Sequence, residues 1–166
     1  MGLPEEILRA RVRNELEECR AYLRREIEGL TDGGFPLRFQ VRLDRVPGPL
    51  LQGEKIINRY EHAFIVHIDD EYPFRRPRVQ WLTPIFHPNI MMPEDGGMVC
   101  TRLLSEWGFR STLLSFIKGM ETLLASPNPD SPFGTTSCIL AARYFERQPY
   151  HSPPLPLRAR PRVVTP

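Results

Sequence analysis

A chain of 166 residues and 19.3 kDa has the length of one domain with a short appendage, which argues against two independent cores. Hydrophobic residues at 41% and charged residues at 25% exclude a collagen-like, wholly disordered or disulfide-scaffold chain. A net charge of +2 does not call for nucleic acid or an anionic membrane as partner, but its makeup is unusual: 20 of the 22 basic residues are arginine, and only Lys55 and Lys118 are lysine. In residues 4 to 28, Ile7, Leu8, Val12, Leu16, Cys19, Leu23 and Ile27 recur at steps of three and four, with Arg9, Arg13, Glu17, Arg20 and Arg24 on another face. This predicts one amphipathic helix, opened by Pro4 and ended by Gly29 and Asp32-Gly33-Gly34.

The period then changes to two. Leu37, Phe39, Val41 and Leu43 alternate with Arg38, Gln40 and Arg42, as in a strand with one buried face that Pro47-Gly48-Pro49 should stop. Lys55 to Tyr60, His62 to Asp69 and Arg78 to Thr83 read as three further strands, so a four-stranded antiparallel meander is expected. Residues 84 to 110 carry Pro84, Pro88, Pro93, Gly96, Gly97 and Gly108 without a clean period; this is a long ordered loop of the kind that carries function. Leu113, Phe116, Ile117, Met120, Leu123 and Leu124 predict a buried central helix from Thr112 to Ala125. A short last helix follows over 135–146, with Ile139, Leu140 and Tyr144 as its apolar side. From 147 onward six of twenty residues are proline, four are arginine and none is acidic, which suits a disordered basic tail. The expected division is therefore a domain over 1–146 and a tail over 147–166, within an α+β fold.

Cys19, Cys100 and Cys138 cannot all pair and form no metal-ligand spacing, so no metal is expected and a reducing, cytoplasmic setting is the default. No stretch reads as a secretory leader or membrane span. A lone cysteine is most often a small buried apolar residue, the reading for Cys19 and Cys138; Cys100 differs by lying in the glycine-rich loop. His62 and His67 read as strand residues, and Trp81, Trp107 and Phe109 as packing residues.

Five short motifs stand in order: Tyr72-Pro73-Phe74-x-x-Pro77, His87-Pro88-Asn89, a glycine before Cys100, Trp107, and Pro127-Asn128-Pro129-Asp130-Ser131-Pro132. Together they resemble the catalytic core of ubiquitin-conjugating (E2) enzymes, and with the leading helix and meander the resemblance covers roughly residues 5 to 146. It implies a UBC-like fold and a Cys100 that holds the C-terminus of ubiquitin or a ubiquitin-like protein as a thioester. That modifier would come from an E1 activating enzyme and leave to a substrate lysine, with or without a RING-type E3 ligase and without a cofactor. A thioester suits that use because thiolate is a good leaving group, so an amine can attack without metal or nucleotide. Asn89 is implied as the oxyanion donor, with a brace of the loop as its other reading. His87 is implied as a structural member of the motif, and Ser131, after Asp130, as the residue that positions the incoming lysine. Phe74, Phe109, Arg110 and Arg11 are the implied partner-binding residues.

Against the family pattern, Met91-Met92-Pro93-Glu94-Asp95 puts Asn89 and Cys100 about three residues further apart than usual. Arg102 stands where an acidic residue is common, and Gly108-Phe109-Arg110 replaces the usual Ser-Pro-Ala. These departures suit a divergent, shortened member, with a prokaryotic or archaeal source as one option. Two alternatives carry less weight: a non-catalytic ubiquitin-binding variant, against which Cys100 counts, and a cysteine hydrolase using His87 or His67 as base.

Overall fold

The computed structural model describes residues 2–23 and 27–154. Helix α1, Glu5–Glu18, follows Pro4 and buries Leu8, Val12, Glu15 and Leu16, with Glu5 and Glu6 in its first turn where the helix dipole favours acid. The single helix predicted to residue 28 does not form. Cys19 closes α1 through its N–H to the carbonyls of Glu15 and Leu16, a 3-10 turn spans Arg20–Tyr22, and Leu23 is extended and bridges Val41. A separate short α2, Ile27–Thr31, follows. The break lets Tyr22 bury its ring and Leu23 pair along the first strand, contacts that a continuous helix would not combine.

The sheet has three antiparallel strands in the order β1-β2-β3, where β1 is Leu37–Gln52, β2 is Lys55–Ile68 and β3 is Arg78–Trp81. The four-strand expectation is therefore corrected to three, because β2 runs unbroken through Tyr60–His62. Pro47-Gly48-Pro49 does not end β1 either. The register shifts between Asp44 and Gly48, with Arg45 at φ 65°, and pairing resumes at Gly48↔Arg59. A bulge on an edge strand tolerates prolines that lack an N–H. Gly48 has no side-chain room: a Cβ there would lie 2.8 Å from Cε1 of His62, whose Nε2 bonds Val46 O at 2.9 Å.

The inner face of the sheet, Phe39, Val41, Leu43, Phe64, Val66, Ile68 and Trp81, is buried with α1 and α4 in one core. Helix α4, Leu113–Ala125, starts at Thr112, whose hydroxyl accepts the Ser115 N–H, and buries Leu113, Phe116, Ile117, Met120 and Leu124. Helix α5, Thr136–Arg147, is capped by Thr135 in the same way. Its buried side is Cys138, Ala141, Ala142 and Phe145, while Leu140, expected inside, is half exposed. What decides the face is a second small cluster of Phe86, Ala141 and Phe145 with Ile56, Tyr144 and Tyr150. Tyr150 also corrects the start of the tail. It packs on Phe145 at 5.8 Å between ring centroids and donates its hydroxyl to Asn58 Oδ1 on β2, so the folded part extends past 146. Of the predicted tail, residues 155–166 lie outside the described residues. Among the described residues no helix is long and apolar enough to cross a membrane.

Candidate active site

Asn89 and Cys100 come together because the chain between them folds back on itself. The Cys100 N–H donates to Asn89 O at 2.9 Å and the Met91 N–H to Met98 O at 2.8 Å, with a bridge between Ile90 and Val99. The extra residues form the tip, a 3-10 turn over Pro93–Asp95 closed by Gly96 at φ 111° and Gly97 at φ 61°. The insertion therefore lengthens the hairpin without separating Asn89 from Cys100. Gly97 anchors that tip to the sheet: its carbonyl accepts the Trp81 N–H at 2.8 Å, and a Cβ at Gly97 would fall 2.5 Å from Trp81 O. Only glycine meets both the backbone angle and the close approach.

A second set of hydrogen bonds ties the start of this hairpin to residues 128–133. Asn89 Nδ2 donates to Asn128 O at 3.0 Å and Ser131 O at 3.2 Å, while Asn89 Oδ1 accepts the Asn128 N–H at 2.8 Å. The Phe133 N–H donates to Pro88 O at 3.0 Å, and Asn128 Oδ1 accepts the Asp130 N–H. Both N–H groups of the Asn89 amide are thus engaged by backbone carbonyls. His87 is fully buried; its Nε2 bonds Leu123 O at 2.8 Å and its Nδ1 accepts the Asn89 N–H at 3.0 Å. Accepting at Nδ1 fixes the neutral tautomer with the proton on Nε2. Burial lowers its pKa to about 4, against a smaller opposite pull from Leu123 O. His87 is an interior tie between the end of α4 and the hairpin, and it has no free nitrogen to serve as a base. Asn128 and Leu123, which hold Asn89 and His87, enter the sequence reading only as a member of the Pro127-Asn128-Pro129-Asp130-Ser131-Pro132 motif and as a residue of the central helix; nothing local shows that their backbone groups hold the site.

The three cysteines sit in different surroundings. Cys19 is buried in the core, where desolvation followed by repulsion from Glu15 and Glu18 pushes its thiol up to about 12. Cys138 is buried under the hairpin with Sγ 3.6 Å from Ile90 O, and desolvation raises its pKa too. Cys100 is exposed. It precedes Thr101, whose hydroxyl accepts the Leu103 N–H to start the short helix α3, Arg102–Ser105. Asp130 and Ser131 are both exposed on the facing loop. Ser131 enters the frame through its carbonyl, and its hydroxyl has no hydrogen-bond partner among the described residues. Among those residues no group of three or more His, Cys, Asp or Glu is placed to hold a metal ion.

The four residues expected to meet a partner fall at the far end of α3. Phe74 and Phe109 stack at 5.7 Å with 30° between their planes and are each more than half exposed. Phe109 is therefore a surface residue, unlike Trp81 in the core and Trp107, which packs on Tyr72 and Phe116. Arg11 lies 4.8 Å over the Phe109 ring and donates to Phe109 O at 2.7 Å and Ser111 O at 3.2 Å. Its guanidinium holds the loop to α1 instead of projecting free; Arg110 next to it is exposed. Beneath them the Tyr72 hydroxyl donates to Oε2 of the buried Glu15 at 2.6 Å, with Arg11 Nε at 3.8 Å. Desolvation raises the Glu15 pKa against the pull of Tyr72 and Arg11. Position 15, three residues after Val12 and four before Cys19, lies on the apolar stripe of α1, and only its acidic residue type spoke against an interior place.

With this geometry in place, the likenesses to known proteins are consistent. The family model described as "Ubiquitin-conjugating enzyme" matches residues 56–150. A ubiquitin-conjugating enzyme E2 T of Bos taurus is 36% identical over 72 residues, 40% of this chain and 35% of that protein. The ubiquitin conjugating enzyme E2 B of Dictyostelium discoideum is 33% identical over 70 residues, 42% of this chain and 46% of the relative. The E2 T of Danio rerio is 30% identical over 122 residues, 66% and 60% of the two chains. The chain thus spans between about a third and three fifths of the length of these relatives. Among solved structures, the E2 domain of a Toxoplasma gondii ubiquitin conjugating enzyme superposes with a TM-score of 0.58 at 20% identity, covering 84% of this chain and 87% of that one. A Plasmodium yoelii structure titled as a ubiquitin conjugating enzyme gives 0.57 at 19%, covering 89% and 87%. At that identity these structures bear on the fold, and the fold is the UBC-like one. The match of the family model across more than half of its residues, on this fold, makes the chain a member of the ubiquitin-conjugating enzyme family.

Proposed function

We propose that Cys100 carries the C-terminus of ubiquitin or a ubiquitin-like protein as a thioester, received from an E1 activating enzyme, and that the chain passes it to a substrate lysine, with or without a RING-type E3 ligase. The observation that carries this reading is the contrast among the cysteines: Cys100 alone is exposed, and its own amide is fixed to Asn89 O in a hydrogen-bonded frame. In the transfer, a neutral lysine amine attacks the thioester carbonyl, the tetrahedral oxyanion collapses, and the Cys100 thiolate leaves. His87 and Asn89 hold the frame. To donate to the oxyanion, Asn89 must first release one of its bonds to Asn128 O or Ser131 O. Asp130 and Ser131 line the side from which an acceptor amine arrives. The hydrolase alternative loses one of its two candidate bases, since His87 is buried with both nitrogens engaged; the other, His67, lies on β2 between Arg38 and Arg78.

Incubation with an activating enzyme, ATP and modifier tests the reading. An adduct removed by reducing agent is expected in the wild type and in Cys19→Ser and Cys138→Ser. In Cys100→Ser it should become a reductant-stable ester or disappear. An undiminished reducible adduct in Cys100→Ser overturns the assignment.

A further inference from the structure

The scarcity of lysine acquires a meaning once Cys100 is read as a thioester. Only a primary amine turns such an acyl group into a stable amide; a guanidinium, protonated at all ordinary pH, does not. The segments that build the surroundings of the thiol, residues 87–105 and 126–134, contain no lysine, and their one arginine is Arg102. Arg102 is two residues from Cys100, with Cα atoms no more than about 7 Å apart. It is the most exposed member of any ion pair among the described residues, at 86%, and it meets Glu106 at 3.1 Å. A lysine there would hang an amine on a flexible four-carbon stem beside the acyl group.

The two lysines lie elsewhere. Lys55 starts β2 at the hairpin turn, opposite Gln52. Lys118 is on the outer side of α4, whose contact with α3 is made by the next residue: a Cβ on Gly119 would meet Leu103 Cδ1. Successive helical residues diverge by about 100°, so Lys118 is turned away from α3.

We infer that Arg102 and the lysine-free segments around it form an amine-free rim that protects the Cys100 thioester from attack by the chain itself, leaving amines of other molecules as the acceptors. This rests on the thioester reading of Cys100. The suppressed reaction is aminolysis: a neutral side-chain amine forms a C–N bond to the carbonyl, the C–S bond breaks, Cys100 leaves as thiolate, and the amine proton passes to solvent.

The test charges the wild type, Arg102→Lys and Arg102→Gln, removes activating enzyme and ATP, and follows each thioester without added amine. Reducing and non-reducing gels, with mass spectrometry of the product, give the readout. Arg102→Lys keeps the charge and adds only the amine. Its thioester lifetime should shorten by about tenfold or more, since a tethered amine acts at an effective concentration of about millimolar or higher. The loss should be independent of protein concentration, give a reductant-stable amide at residue 102, and accelerate with pH toward about 10.4 as the amine loses its proton. Arg102→Gln, which loses the ion pair without gaining an amine, should match the wild type. If Arg102→Lys survives as long as the wild type, or if the wild type modifies Lys55 or Lys118 as fast as Arg102→Lys modifies itself, the inference is overturned while the thioester reading stands. Absence of any reducible adduct on the wild type overturns both.

Discussion

The frame under Cys100 and the aromatic patch at Phe74 and Phe109 are both surface features carried by loops, yet they are held in opposite ways. Around Cys100 the loops are fixed by buried polar groups: His87 and Asn89 together engage Leu123, Asn128 and Ser131 through backbone carbonyls and amides. At the patch the order comes from ring stacking and one guanidinium, all close to water. In the first region each lost partner leaves a buried group unsatisfied, so disruption is costly to the fold. In the second, water replaces what is removed, and disruption should appear mainly in what the surface can bind.

The largest expected effect is at the tip of the hairpin. Gly97→Ala must place a Cβ at φ 61° within 2.5 Å of Trp81 O. Left-handed strain of about 1–2 kcal/mol adds to the loss of the bond from Trp81 N. Together they should cost about 3 kcal/mol and lower Tm by roughly 10 °C. An unchanged melting curve would mean that the hairpin is not anchored to β3. Next comes Asn89→Asp, which keeps the size of the side chain but turns a carboxylate oxygen toward the carbonyls of Asn128 and Ser131. A loss of about 2 kcal/mol is expected, read as a lower Tm together with slower discharge of the modifier to free lysine. If discharge slows while Tm stays at the wild-type value, Asn89 serves the reaction and not the frame, and the contrast between the two regions fails.

Acid should weaken the frame more than the patch. His87, with a folded pKa near 4 against 6.5 unfolded, contributes stability that is fully present above about pH 6.5 and is lost as pH falls toward 4. His62 is lowered as well, chiefly by burial, and acts in the same direction. Glu15 has the opposite sign. Its pKa is raised from 4.5, so the contribution it makes below 4.5 is lost as pH rises through its folded value, and acidification relieves a cost. The net fall in Tm between pH 7 and 4 should be partial in the wild type and steeper in Glu15→Gln, which removes the opposing contribution. Identical slopes in the two proteins would show that Glu15 is not desolvated in solution.

Much of this was legible in the sequence where burial follows a simple period. Leu37 to Leu43 and Leu113 to Leu124 face as their spacing predicts, because one side of each meets the core. The motifs placed Cys100, Asn89 and His87 on one loop, since short motifs in fixed order constrain local chain paths. What escaped was set by contacts distant in sequence. Leu23 leaves the helix for Val41, and Pro47-Gly48-Pro49 passes through an edge bulge that Arg45 and His62 accommodate. Phe86 selects the buried face of α5, and Tyr150 docks beyond the expected boundary. In each case a partner on another element decides the outcome, Val41 for Leu23, His62 for the bulge, Phe86 for α5 and Asn58 for Tyr150, outside the reach of any local pattern. The engagement of both Asn89 N–H groups belongs to the same class, because the carbonyls that take them lie on the loop after α4.

The smallest effect on stability is expected at the patch, and there the comparison is sharpest. Phe74 and Phe109 are each more than half exposed, so truncation of either to alanine removes little buried area and should cost less than about 1 kcal/mol. The stack itself contributes about 0.5–1.5 kcal/mol at most, and solvent shares in it on the outer side. Arg11→Ala differs, because two carbonyls and the Phe109 ring lose their partner together. The 109–111 loop should then loosen without the domain unfolding, seen as faster amide exchange confined to that loop. If a ligase docks on this patch, whose residues the resemblance implies as partner-binding, all three variants should load Cys100 as fast as the wild type and discharge normally to free lysine, while stimulation by a ligase drops by tenfold or more, as for central aromatic anchors. Equal losses in stimulated and unstimulated discharge would mean that the two rings act on the frame, and the two regions would then be one mechanical unit.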